Sequence, residues 1–390
     1  MPRIDALKLS KELIRFESIT PVDAGAIAFL SKKLKSLGFT CKILEFKDKK
    51  SKPIKNLYAR RGTAQPNICY AGHTDVVPPG NYKDWTTNPF NPIIKNNHLI
   101  GRGANDMKSS IACFISAVSE FLKNNPKING SISFLITGDE EGIAINGTKK
   151  VVEFLKKKRE KINFCIVGEP TNPKKLGEMI KIGRRGSLSG TLVVIGTQGH
   201  VAYPHLSNNP INTLVNICKK LKKDKLDNGN KNFQPSNLEF TGIYVDNKAH
   251  NVIPSRARAQ FNIRYNNYHT AVSLKKRVTS IISKICKKNN CQYKIEYVAN
   301  GDAFLTKPDK TIFMAKKIIK KVTKVNPKFS TTGGTSDARF IRKIAPCLEF
   351  GLVNKTMHKI DECVSLSDLN KLTKIYHDIL VEYFKWNFIK

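Results

Sequence analysis

Apolar residues recur along this chain with two alternating periods. Residues 23–37 carry them at helical spacing and stop at Gly38, and a strand is predicted at 39–46. The apolar run Ile68-Cys69-Tyr70-Ala71 reads as a buried strand that meets Gly72-His73. A helix is predicted from about 107 to 123, a strand at 131–137, a helix at 147–158 and a strand at 163–167. Alternation of this kind implies a mainly parallel sheet with helices on both faces. The first sixteen residues, MPRIDALKLSKELIRF, alternate charged and apolar positions at helical spacing. They lack the continuous apolar segment of a secretory signal and are read as the first helix.

The pattern changes near Gly183. A strand is predicted at 187–196, a helix at 209–223, strands at 238–245 and 256–265, a helix at 270–288 and a strand at 292–298. That order, βαββαβ, is the ferredoxin-like arrangement. Strand and helix alternation returns at 309–390. The expected fold class is therefore α/β: a mainly parallel-sheet domain formed by 1–182 and 300–390, with a ferredoxin-like domain of residues 183–299 inserted into it. No internal repeat or low-complexity linker interrupts this order.

Composition changes the picture little. Hydrophobic residues make up 40% of the 390, ample for two cores, and no stretch approaches the ~18–20 apolar residues that span a bilayer. The nine cysteines form no C-x-x-C pair, and Cys69, Cys113 and Cys165 sit in apolar runs like small buried hydrophobes. A disulfide framework is not expected, and a reducing cytoplasm is. The formal net charge is +36, from 67 Lys+Arg against 31 Asp+Glu. Lysines occur everywhere, in helix faces such as Lys32-Lys33 and Lys156-Lys157-Lys158 and in turns such as Lys49-Lys50. With no RNP, zinc-finger or helix-turn-helix signature, this reads as compositional drift and not as a nucleic-acid surface. Such a surface still attracts a small acidic substrate at long range.

Four short segments concentrate metal-compatible residues after predicted strands, where sites in open α/β sheets gather. In GHTDVVPPG (72–80), His73 reads as a ligand, with the Asp75 carboxylate accepting its second ring N–H. An ordinary hydrogen-bonded turn is the plainer alternative. In GRGANDMKSS (101–110), Asp106 is either a helix cap or a carboxylate bridging two cations. LITGDEEG (135–142) ends a strand on Asp139, Glu140 and Glu141, which repel one another unless a cation neutralises them. A solvated acidic turn is the alternative there. Val167-Gly168-Glu169-Pro170 adds Glu169, and EFGLVNKTMHKIDECV (349–364) adds His358, which alone would read as structural. Mixed nitrogen and oxygen donors suit zinc, with cobalt or manganese tolerated.

GHTDVVP, GRGANDMK, DEEG and GEP, in this order, resemble the co-catalytic zinc peptidase family, which includes aminoacylases and carboxypeptidases. The resemblance covers essentially the whole chain, from about residue 5 to about residue 385. It implies an amide hydrolase with two Zn²⁺ per chain, Co²⁺ able to substitute. One zinc would take His73 and Glu169, the other Glu141 and His358, with Asp106 bridging, Glu140 as base and Asp75 supporting the site. It also implies a cis peptide after Asp106, and a homodimer formed through the inserted domain in which His200 of GHVAYPH (199–205) serves the partner's active site. Substrate contacts by resemblance are Arg184, Ser187, Tyr203, Asn251, Arg264, Gly334, Thr335 and Asn354. The two arginines are apt clamps for a small substrate bearing several carboxylates. A deacetylase or carboxypeptidase of the same family would share the metal site but not that clamp. A nucleic-acid-binding protein on an inactive fold would explain the charge but not the ligand set. The chain departs from the family pattern at Asn105 and Ser109, where Ala and Gly are commoner, and at His250, Ala338 and Leu352.

Overall fold

The structure, a computed structural model, describes residues 2–48 and 51–386, so the turn expected at Lys49-Lys50 lies outside it. The chain divides into two compact units. One comprises Met1–Ile182, Thr306–Ser330 and Ser336–Lys390, and the other Gly183–Leu305 and Thr331–Thr335.

The first unit is built on an eight-stranded sheet. Its order is Thr40–Phe46, Ile54–Arg61, Ser131–Thr137, Asn67–His73, Phe164–Val167, Cys347–Glu349, Met179–Lys181 and Lys328–Ser330. Asn67–His73 is buried along its whole length and pairs in parallel with Ser131–Thr137 and Phe164–Val167. A strand covered on both faces has no polar face to present, which is why it reads as a continuous apolar run. Because the three run in parallel, their carboxyl ends align. His73 stands opposite Thr137, and Ala71 opposite Val167. The turns carrying His73, Glu140, Glu141 and Glu169 thus leave the sheet on one side.

Helix Ser109–Asn124 is buried along most of its length. Tyr70 stacks on Phe114 with ring centroids 4.4 Å apart. Its hydroxyl donates to Ser110 Oγ at 3.0 Å, and the Tyr376 hydroxyl in turn donates to the Phe350 carbonyl at 2.7 Å. Buried tyrosines need such partners for their hydroxyls, and these pin the helix that follows Asp106 onto the central strand.

The second unit has a four-stranded antiparallel sheet in the order Asn237–Tyr244, Arg256–Tyr265, Gly186–Ile195, Gln292–Ala299. Helices Pro210–Lys223 and Ala271–Lys288 complete the βαββαβ order. Leu188, Leu192, Val194, Ile217, Phe261 and Ile282 share its core. Asn209 caps the first helix ahead of Pro210, and Thr270 with Ser273 forms a capping box on the second. Phe304–Leu305 pairs antiparallel with Gly183–Arg184. That pairing carries the unit to Leu305, beyond the boundary expected near Asn300. Among the described residues no helix is long and apolar enough to cross a membrane.

Candidate metal centre

His73 is the last residue of its strand and is 1% exposed. Its Nδ1 lies 2.8 Å from the main-chain carbonyl of Asp75. A carbonyl only accepts, so Nδ1 carries the proton and Nε2 is turned toward the carboxylates. Asp106 Oδ1 is 3.1 Å from this Nε2, and Glu169 Oε1 is 4.0 Å away. His358 approaches from the opposite side. Its Nε2 lies 2.8 Å from Glu141 Oε1 and 3.2 Å from Asp106 Oδ2. The two oxygens of Asp106 therefore face two different imidazoles, and each imidazole has a further carboxylate of its own. Ligand atoms of His73, Glu140 and Glu169 lie within 4.8 Å of one another, as do those of His73, Asp106 and Glu141.

The charge balance of this cluster fits divalent cations. Four carboxylates gather around two imidazoles, and without a cation the rings must hold protons to compensate. Burial opposes charge on His73, but the Asp106 hydrogen bond and the charges of Asp106, Asp75 and Glu169 together outweigh it and raise the imidazole well above its usual range. Bonds to Asp106 and Glu141 push His358 up to about 10. Burial opposes ionisation of Asp106, yet bonds from His358 and His73 hold it below the usual carboxylate range. Burial, with Glu169 beside it, raises Glu140 well above the usual value. Protons stand on the nitrogens where metal bonds would form.

Asp75 differs from expectation. Its carboxylate does not receive the His73 ring N–H; Oδ1 is 3.7 Å from Nδ1. Instead Oδ2 accepts the backbone N–H groups of Glu140 at 3.0 Å and Glu141 at 2.9 Å. Two backbone donors are unsatisfied where the strand ends, and the carboxylate sits over them, so the ring turns to the carbonyl. Burial pushes Asp75 up to about 6. Asp139, the third acid of its segment, accepts the N–H groups of Ala144, Ile145 and Asn146 and shapes the loop beyond.

Asp106 is not a helix cap. It lies in the tight turn Ala104–Lys108 that precedes helix Ser109–Asn124, and its peptide bond to Met107 is cis. Sequence reasoning missed what holds this turn. Glu362, 1% exposed, accepts the N–H groups of Asn105 at 2.7 Å and Asp106 at 2.9 Å through Oε1. Its Oε2 takes Arg102 at 2.7 Å. Arg102 is buried against the Trp85 ring. A buried arginine next to the acidic turn demands a carboxylate, and the GRG segment was the available signal.

Most of the remaining predicted residues fall in the second unit. Arg184 donates to the carbonyls of Thr332 and Gly334, the latter at 3.2 Å, and so holds the stretch bearing Gly334 and Thr335. Ser187 is buried, pairs in register with Arg264 and accepts from Asn262 at 3.1 Å. His200 is exposed in the short strand Gly199–His200 opposite Val252, its Nδ1 accepting the Ala202 N–H. Tyr203 and Asn251 are exposed. Asn354, in the first unit, opens the turn Asn354–Thr356 that leads to His358.

The pattern of Peptidase family M20/M25/M40 matches residues 69–382, and the chain belongs to that family. It is 66% identical over 384 residues to the succinyl-diaminopimelate desuccinylase of Pelagibacter ubique (strain HTCC1062), covering 98% of this chain and 100% of that one. The protein of the same name from Wolbachia pipientis wMel is 49% identical over 98% of this chain and 94% of its own. The fold is similar to that of the M20 family metallo-carboxypeptidase Sso-CP2 of Sulfolobus solfataricus, with a TM-score of 0.77 at 19% identity, covering 96% and 98% of the two chains. It is also similar to that of YxeP of Bacillus subtilis, a dinuclear metal-binding peptidase of the same family, with a TM-score of 0.72 at 14% identity over 97% and 98%.

Proposed function

We propose that this chain is a two-zinc amide hydrolase that converts N-succinyl-LL-2,6-diaminopimelate to LL-2,6-diaminopimelate and succinate, a step of lysine and diaminopimelate biosynthesis. The observation that carries the metal reading is the Asp106 carboxylate set between two imidazoles, each with its own further acid. The full-length similarity to desuccinylases supports the substrate. His73, Glu169 and Asp106 would hold one zinc, and Glu141, His358 and Asp106 the other, with cobalt able to replace either. Bound there, the ions would polarise the amide carbonyl and acidify the attacking water.

The remaining steps belong to side chains. Glu140, beside Glu169 and His73, takes a proton from the water as its oxygen adds to the carbonyl carbon. It returns that proton to the nitrogen as the C–N bond breaks, so one water adds across the amide to give an acid and an amine. Asp75 holds the backbone of the turn that carries Glu140 and Glu141. Arg184 and Arg264 are assigned to the substrate's carboxylates, and Ser187, Tyr203, Asn251, Gly334, Thr335 and Asn354 to its other polar groups. His200 is assigned to the developing oxyanion, given by the second unit of a partner chain in a homodimer. Nine free thiols suit a reducing compartment, and we place the enzyme in the cytoplasm.

The test is hydrolysis of N-succinyl-diaminopimelate beside N-acetylornithine by the zinc-loaded protein. Preference for acetylornithine overturns the substrate and leaves the hydrolase. For the dimer, His200→Ala chains mixed with Glu140→Gln chains should recover roughly a quarter of wild-type activity by statistical pairing. No recovery despite demonstrated subunit exchange refutes the shared site.

A further inference from the structure

Asn105 takes no part in the chemistry above, yet it is 1% exposed and lies beside Asp106. Its Nδ2 donates to the main-chain carbonyl of Val353. Val353 opens the loop that carries His358, and Glu362 closes it. At that closing end, Glu362 Oε1 accepts the N–H groups of Asn105 and Asp106. Residues 353–362 are thus fastened at both ends to one turn, the turn whose Asp106 carboxylate faces His358 at 3.2 Å. The opening end has a second tie, from the Asn354 N–H to the Asn172 carbonyl at 2.8 Å. Only the Asn105 bond joins that end to the Asp106 turn directly among the hydrogen bonds described.

Between its ends Thr356 Oγ1 donates to the Cys363 carbonyl at 2.8 Å, the Lys359 carbonyl accepts from Arg102 at 3.2 Å and the Asp361 carboxylate accepts from Thr86, but none of these bonds is made by His358 itself. The His358 side chain is 42% exposed, and its backbone has φ 62°. A cavity of about 240 Å³, lined in part by Asn105, Val353, Thr356 and Cys363, lies alongside. There is room for the loop to shift once the Asn105 fastening is lost. His73 and Glu169 are placed differently. One ends a fully buried central strand and the other follows the next, so the sheet fixes both regardless of residue 105.

We infer that Asn105 is a positioning residue for His358, and that it sets the affinity for the metal on the Glu141–His358 side while leaving the His73–Glu169 side unaffected. This rests on the two-metal reading of the site. A cation binds tightly only where its ligands already stand at the right spacing, and outer partners of metal ligands commonly change affinity by about 10–100-fold.

The test is titration of the metal-free wild type, Asn105→Ala and Asn105→Asp with cobalt, followed by d–d absorption, with thermal unfolding of each metal-free chain. In Asn105→Ala the first equivalent should bind as in wild type and the second about tenfold more weakly or worse. Asn105→Asp keeps the size but sets an acceptor against the Val353 carbonyl, and should be at least as weak. Both metal-free variants should unfold within a few degrees of wild type. A second equivalent as tight as wild type in both variants overturns the inference. So does equal weakening of both equivalents, which would mean general loosening. A wild-type chain that takes up fewer than two equivalents instead sinks the two-metal reading, and this inference with it.

Discussion

His73 Nδ1 lies 2.8 Å from the main-chain carbonyl of Asp75, while the nearer Asp75 carboxylate oxygen stands 3.7 Å from the same nitrogen. Ring orientation therefore comes from the backbone, and the carboxylate is released to hold the Glu140–Glu141 turn. Asp75→Asn should leave the Nδ1–H tautomer in place, visible by imidazole ¹⁵N NMR of the zinc-loaded protein. An amide oxygen can still accept, but the weaker, uncharged bonds should loosen the acid turn. Turnover is expected to fall by about 10–100-fold, the range typical of such supporting partners. Loss of the Nδ1 proton signal would contradict the assignment.

Glu140 and Glu141 are adjacent in sequence but differently engaged, since Glu141 Oε1 lies 2.8 Å from His358. Glu140→Gln should keep both metals and lose about 10²–10⁴ in turnover, the usual contribution of a general base. Glu141→Gln should instead lower metal content. Elemental analysis beside single-turnover rates separates the two, and near wild-type turnover in Glu140→Gln would remove it as the base.

Metal uptake should release protons. Without cations His358 is raised to about 10, so it is protonated at neutral pH and must lose that proton to bind a metal. Apparent zinc affinity should rise as pH increases from about 6.5 toward 10. The stability term has the opposite sign. A raised folded-state pKa stabilises the metal-free chain fully below about 6.5, and that contribution is lost as pH rises through about 10. Calorimetry in buffers of different ionisation enthalpy counts the released protons; no release at pH 7 would contradict the protonated pair.

The sequence made the strand ends legible because a buried parallel strand reads as an uninterrupted apolar run, and polar residues directly after it, at His73 or Glu169, stand out. It did not reveal strand Ile54–Arg61. Its segment, IKNLYARR, is broken by Asn56, which is buried and satisfied by the carbonyls of Leu44, Ile54 and Asn146. Leu44 and Asn146 lie outside the strand, so the residue looks like a loop signal in one dimension. Glu362 was hidden for the same reason. Its partners Asn105 and Asp106 lie more than 250 residues away, and their N–H groups have no side-chain signature.

Arg264 offers a cleaner substrate test than Arg184, because the Arg184 guanidinium also holds the carbonyls of Thr332 and Gly334. Arg264→Ala should lower kcat/KM for the succinylated substrate by about 2–5 kcal/mol, the cost of truncating one partner of a buried charge pair. The loss with N-acetylornithine, which has a single carboxylate against three in the succinylated substrate, should be smaller. Equal losses on both substrates would remove Arg264 from the specificity clamp.

The buried pair Arg102–Glu362 makes the sharpest stability prediction. Nε of Arg102 lacks a partner among the described residues, and its NH1 is committed to Glu362 and to the Lys359 carbonyl. Glu362→Gln keeps an oxygen for the N–H groups of Asn105 and Asp106 but leaves the Arg102 charge buried and uncompensated. Breaking such a pair from one side costs about 3–5 kcal/mol. Urea unfolding of the metal-free protein should show that loss, provided its unfolding is cooperative. Replacing both, as Arg102→Met with Glu362→Gln, removes the stranded charge and should recover part of the stability. Metal affinity should stay low in the double variant, because a neutral amide holds the Asp106 backbone less firmly than a carboxylate does. Recovery of stability without recovery of affinity would separate the two roles of Glu362. Full recovery of both would reduce it to a counter-ion for Arg102.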